Sequence, residues 1–148
     1  MLAVVQRVSR ARVTAGGAEL GAIGPGLLVL LGVAGGDGTE DSSYIARKLA
    51  RLRIFEDDQG LMNRSLEEAG GAVLLVSQFT LLADTRRGNR PSFSGAAAPE
   101  SAELLYQDVA GRLRHAGLTV ATGEFGAMMQ VELVNNGPVT IIINSREK

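Results

Sequence analysis

Residues 27–33 read Leu-Leu-Val-Leu-Leu-Gly-Val, a run with no polar face. Side chains alternate between the two faces of a strand, so a half-exposed strand shows a polar residue at every second place. This run does not, and it is expected as a central strand covered on both sides. A second stretch, AVLLVSQFTLLA from Ala72 to Ala83, reads as another buried strand with three polar residues set into it. At 148 residues the chain is long enough to bury such a core, and a single domain over residues 1–148 is expected.

The remaining segments fall around these two. LAVVQRVSRARVTA is a long, partly exposed strand running into Gly16-Gly17, and AELGAI is a second strand closed by Gly-Pro-Gly. After AGGDG comes a helix with Ile45, Leu49 and Leu52 on one face. DDQG is a turn, and DTRRGNRPSFSGAAAP is a long irregular loop. Pro99 opens a second helix, with Leu105, Val109 and Leu113 inward, and Gly117 stops it. LTVATG and the two runs of MQVELVNNGPVTIII complete the strands. Strands bracketing two helices predict one mixed α/β domain bordering on α+β. The final junction is odd. Asn136-Gly137 between alternating apolar residues is a strong hairpin signal. Pro138 then removes an N–H where the returning strand should begin to pair, so this backbone is expected to present something other than a ladder.

Composition excludes several chemistries. There is no cysteine, so neither disulfides nor thiolate sites form, and one histidine, His115, makes a Ser-His-Asp triad improbable. His115 falls beside Arg112 and Arg114 in the last turn of a helix, where cations complement the dipole, and it is assigned no chemistry. The N-terminus alternates and carries charge, unlike a signal peptide, and the longest apolar run is too short to span a bilayer. A cytoplasmic protein is expected, with no membrane partner. Net charge −1 argues against a protein that coats nucleic acid, while leaving room for a local RNA contact. GVAGGDGTED imitates a phosphate-binding turn, but no G-x-G-x-x-G can be written through it. Asp37, Glu40 and Asp41 moreover occupy the helix end that would attract phosphate. Arg86, Arg87 and Arg90 in the long loop read either as solvated charge or as a basic lip for phosphates.

Ser77, Gln78 and Thr80 are the informative polar residues. Strand geometry sets Gln78 and Thr80 on one face and Ser77 and Phe79 on the other, and polar groups bracketed by core residues suggest a lined pocket. A threonine nucleophile needs a base. Asp84 would stand about 13 Å away along a straight strand. The N–H groups around Phe79 and Thr80 are therefore better cast as oxyanion donors.

SQFTL together with NNGPVT resembles the D-aminoacyl-tRNA deacylases, and AVVQRV, GPGLLVLLGV, LRIFED, ADTRRGNRPSF and FGAMMQVELV extend the resemblance over nearly the whole chain. It implies a curved, largely antiparallel sheet or half-barrel with two main helices, completed by dimerisation. It also implies a cytoplasmic homodimer that hydrolyses the ester between a D-amino acid and the terminal adenosine of tRNA, needs no metal or cofactor, and in many members removes glycine mischarged on tRNA for alanine. The residues carried over are Ser77, Gln78, Phe79 and Thr80 as the catalytic strand. Gly137 and Pro138 would enter the partner's pocket through a cis bond, with Met129 and Arg7 as supports. Leu61 and Met128 depart from the family pattern, which favours lysine and an acid there. Two other readings compete: a non-catalytic nucleic-acid or nucleotide-binding module on the same fold, and a small-molecule esterase. The esterase would be expected to supply its own base.

Overall fold

The strand that begins at Leu2 runs to Ala15 and organises the sheet, because three other strands pair with it. The structure is a computed structural model and describes residues 1–147. Within them the order is β1 (Leu2–Ala15), β2 (Ala18–Ile23), β3 (Gly26–Gly32), α1 (Thr39–Arg51), β4 (Phe55–Glu56), β5 (Met62–Arg64), α2 (Leu66–Ala69), β6 (Ala72–Ser77), α3 (Pro99–His115), β7 (Thr119–Thr122) and β8 (Met129–Asn144). The main sheet has the order β2-β1-β3-β6-β7, with β8 also paired to β1. β1 is antiparallel to β2, β3 and β8, while β3–β6 and β6–β7 are parallel. One edge of β1 is shared: its first half pairs β3 and its second half pairs β2. The sheet therefore curls. β2 approaches β7 so closely that a Cβ on Gly21 would lie 3.1 Å from the Thr122 carbonyl oxygen.

The polarity-free run becomes β3, and both its faces are covered. Leu27, Val29 and Leu31 point into a core shared with Ile45 and Leu49 of α1 and Tyr106, Val109 and Leu113 of α3. Leu28 faces a second core made by the curl of the sheet, with Val8, Ala11, Val13, Ile23, Leu74 and Val76. Parallel pairing of β3 with β6 requires Gly26, where a Cβ would fall 1.9 Å from the Ala72 carbonyl oxygen. The two main helices are joined through polar atoms as well. Ser42 of α1 hydrogen-bonds the Asp108 carboxylate of α3, which also takes the Arg112 guanidinium at 2.7 Å.

Two local expectations are corrected. The strand does not continue through Thr80: β6 ends at Ser77 and the chain turns into a 3-10 turn over Phe79–Leu82. The Gln78 amide makes the last ladder-like bond, to Leu31 O at 2.8 Å, and Leu81 and Leu82 then fold back onto Gly32. The two leucines pack over the end of β3 instead of extending β6. Nor are the last two runs separate strands, although, as expected from Pro138, the backbone at Asn136-Gly137 departs from the ladder. β8 is one strand paired with β1 from Met129 to Asn144, with Gln6 opposite Thr140 and Val8 opposite Asn135. Residues 136–139 form a wide bulge against Arg7 alone. Pro138 lies in that bulge, where no ladder N–H is needed. The β4–β5 ribbon and α2 were not anticipated from the sequence; both are very short.

Candidate active site

The corner where β6 gives way to the 3-10 turn carries the polar residues singled out above. Gln78, with φ −145° and ψ 80°, takes the chain out of the sheet. Its side-chain amide donates to Thr80 Oγ1, which orients both groups. Phe79 and Thr80 open the turn, so their N–H groups have no preceding carbonyl of that turn to bond. Phe79 is 55% exposed, and its ring meets Phe93 edge-on at 5.1 Å. Gly32 permits this corner to sit so close, since a Cβ there would be 3.1 Å from the Gln78 carbonyl oxygen.

Below the corner lies a cavity of about 650 Å³ lined by Ser77, Gln78, Phe79 and Thr80 on one side. Ala96, Ala97, Pro99 and Ala102 at the start of α3, and the segment from Phe125 to Met129, supply the other walls. Leu31, Val33, Val76 and Val131 complete the lining. Its volume falls in the range of small-ligand sites, and its few polar groups converge from one strand end. Met129 is admitted by Gly123, where a Cβ would lie 2.6 Å from the Met129 sulfur. Among the described residues no histidine or carboxylate lines the cavity.

The Asp84 carboxylate is engaged elsewhere. The chain between Thr80 and Asp84 is coiled rather than straight, which shortens the separation expected from the sequence. Yet Arg86 donates to both carboxylate oxygens of Asp84, at 2.9 and 2.6 Å, and holds its pKa down at about 2. A carboxylate so strongly stabilised in its charged form is a poor general base.

A second constellation stands apart. Arg7 is 6% exposed and donates to Ile54 O at 2.6 Å and Asn136 O at 3.0 Å, with Glu56 at 3.8 Å. It thereby holds the start of the β8 bulge. The Asn135 side chain accepts from the Val139 amide at 2.9 Å and closes the bulge from the other end. Between these ties the Gly137–Pro138 peptide is cis, Gly137 has φ +137°, and both residues are exposed. Neither residue, nor Arg7, lines the cavity of its own chain.

The chain matches the family model described as D-Tyr-tRNA(Tyr) deacylase over residues 4–144. It is 64% identical to a D-aminoacyl-tRNA deacylase of Anaeromyxobacter dehalogenans, an alignment covering 99% of this chain and 98% of that one. A protein of the same name from Heliobacterium modesticaldum is 58% identical, over 99% of this chain and 97% of its own length. This chain belongs to the D-Tyr-tRNA(Tyr) deacylase family. Among solved structures it resembles the c-Myc DNA Unwinding Element Binding Protein, at 42% identity and TM-score 0.91, covering 97% of this chain and 98% of that one. A probable eukaryotic D-amino acid tRNA deacylase shares the fold at TM-score 0.81 and 17% identity, covering 96% and 97%.

Of the residues expected to form the family's site, the structure brings Ser77, Gln78, Phe79, Thr80 and Met129 to one cavity. Gly137 and Pro138 form a separate, exposed group that the buried Arg7 holds from below. Sequence reasoning missed the walls from Ala96 to Ala102 and from Phe125 to Met128. These are mostly small or apolar residues whose role comes from where they are placed. The one available signal was the run of small residues ahead of Pro99.

Proposed function

We propose that this protein hydrolyses the ester joining a D-amino acid to the terminal adenosine of tRNA, and that it rejects L-aminoacyl esters with rigid main chain lent by a second copy. Family membership makes it a D-aminoacyl-tRNA deacylase, a hydrolase of the aminoacyl-tRNA ester bond. The observation that carries the finer reading is the corner at Ser77–Thr80. There the Gln78–Thr80 side-chain pair and the two residues that open the 3-10 turn line a cavity that has no histidine or carboxylate among the described residues. In such a site the amides of Phe79 and Thr80 stabilise the oxyanion. The vicinal ribose hydroxyl of the substrate helps place or activate the attacking water. No cofactor or metal enters this scheme.

Handedness needs a separate device. L and D substrates carry the same groups, and a fit differing by a methylene in an apolar pocket is worth only about 1–3 kcal/mol. A peptide plane does not rotate away as a side chain does. The Gly137–Pro138 bulge, tied by Arg7 and Asn135, is exposed and remote from its own cavity, which suits it to enter a partner's cavity in a homodimer. There its carbonyls would grip the substrate ammonium and wall off an L side chain. The same wall admits glycine, so glycine mischarged on tRNA for alanine is a further substrate. The whole chain acts as one domain in this reading. Among the described residues no helix is long and apolar enough to cross a membrane, and a cytoplasmic setting agrees with an aminoacyl-tRNA substrate.

Deacylation kinetics on matched D-, L- and glycyl-tRNA test this reading. Cleavage of D and glycyl esters with the L ester spared supports it, and equal cleavage of D and L overturns the wall. A second reading is a nucleic-acid-binding module without catalysis, favoured by the likeness to a protein named for DNA-element binding. Retention of RNA with no ester cleavage in the same assay would establish it.

A further inference from the structure

A cavity of about 650 Å³ takes an aminoacyl-adenosine but not a polynucleotide, which leaves the rest of a tRNA strand to cross its rim. The net charge is −1, so the protein as a whole offers RNA no general attraction. Cations at the rim therefore matter disproportionately.

One stretch of rim is built to present them. The long loop between the 3-10 turn and α3 is pinned at its root by Gly35 N to Gly95 O and Ala97 N to Val33 O, both 2.9 Å. Ala96 and Ala97 of that root are cavity wall. Higher up, Phe93 packs edge-on against Phe79 of the catalytic corner. Asp84 and Ser92 then form a two-bond antiparallel bridge, N to O at 2.7 and 2.9 Å, that closes residues 85–91 into a tip. The tip holds Arg86, Arg87 and Arg90, and they are not equivalent. Arg86 lies in a two-point pair with Asp84 and is electrically cancelled. Arg87 and Arg90 are exposed and have neither an ion pair nor a hydrogen bond among the described residues. Two unspent guanidinium groups thus project from a neck fixed to the mouth of the cavity. Guanidinium suits phosphate because its donors form a planar fork.

We propose that Arg87 and Arg90 clamp backbone phosphates of the RNA strand where it leaves the cavity, while Asp84 withholds Arg86 from that role. The assignment rests on the deacylase reading of the same cavity and concerns the polymer rather than the ester. It predicts that the clamp acts on tRNA and is blind to a substrate without phosphate.

The test compares R87Q/R90Q with wild type on D-tyrosyl-tRNA and on D-tyrosyl-adenosine. A control, R47Q/R51Q, removes the same charge from exposed positions on α1. The clamp variant should raise KM for the tRNA ester at unchanged kcat and leave the adenosine ester unaffected, and the control should alter neither. Each single-strand phosphate contact contributes a salt slope of about 0.7. Between 50 and 200 mM salt the wild-type KM should therefore rise about sevenfold more than that of the variant. Equal losses on both substrates, an unchanged salt slope, or the same effect from the α1 control would overturn the proposal. Equilibrium binding of uncharged tRNA to the three proteins reads the clamp without the chemistry. Loss of binding in R87Q/R90Q alone supports it even if the ester reading fails, and equal binding by all three rejects it.

Discussion

Arg7 shows how much one side chain can decide. A charged group in a strand core is normally excluded, yet here it is buried because the carbonyls of Ile54 and Asn136 accept hydrogen bonds from its N–H groups. Replacing it by methionine keeps volume and strands both carbonyls. R7M should lower stability by roughly 2–4 kcal/mol in urea titration, at the scale of lost hydrogen bonds to a charged donor. It should also loosen the bulge it holds. Gly137 is constrained differently. Its φ of +137° disfavours any L residue, and an added Cβ would lie 2.7 Å from Val139 Cγ2. G137A should therefore lose deacylase activity while far-UV circular dichroism stays native, since Gly137 itself is exposed and lies outside the β1–β8 ladder. At Thr80 the question is chemical. The amide survives in T80A, so a loss below about a hundredfold in kcat is expected. A nucleophile would show a loss on the order of 10⁴-fold or more with binding intact.

Elements that sit at the limits of sequence reading are also the ones that make the candidate site. β3 was legible because a polarity-free run has one physical solution, and α3 because Pro99 and Gly117 mark its ends. The end of β6 was not legible. Periodicity across SQFTLL fits a strand, and only the packing of Leu81 and Leu82 onto Gly32 turns it into a 3-10 corner. Between helices, the Asp108 carboxylate is partly buried, which opposes its charge, but Ser42 and Arg112 outweigh burial and hold its pKa below the ordinary value. A depressed carboxyl contributes stability that is present above its unfolded pKa and fades as pH falls through the folded value. Wild type should thus lose stability on acidification below about pH 4, and D108N should lose less over that interval, as chemical denaturation at stepped pH would show. Tyr106 anchors the same layer. Burial pushes its hydroxyl up to about 12, and the hydroxyl donates to Leu75 O at 2.8 Å. Y106F should reduce stability by about 1–2 kcal/mol without altering the cavity walls.

At the scale of the whole molecule, the candidate site residues are divided between a cavity and an exposed bulge. If the bulge of one chain completes the cavity of another, two defective chains can repair each other. A T80W chain has a filled cavity and a sound bulge, and a G137A chain has the converse. Refolded together in equal amounts, they should regain about a quarter of wild-type activity, because half the dimers are mixed and each mixed dimer has one intact site. No recovery would mean that each chain acts with its own bulge or that no such dimer forms.

By itself the sequence determined the central strands, the two long helices, the family, and the identity of the residues at the corner, because each is written in local pattern or short motif. Tertiary structure alone decided that residues 136–139 are a bulge in one continuous strand, since the whole of β8 must reach a partner, β1, that is distant in sequence. It alone decided which arginine of the loop is cancelled and which two are left over. Charges and turns take their meaning from what stands beside them, and neighbours in space are not neighbours in the chain.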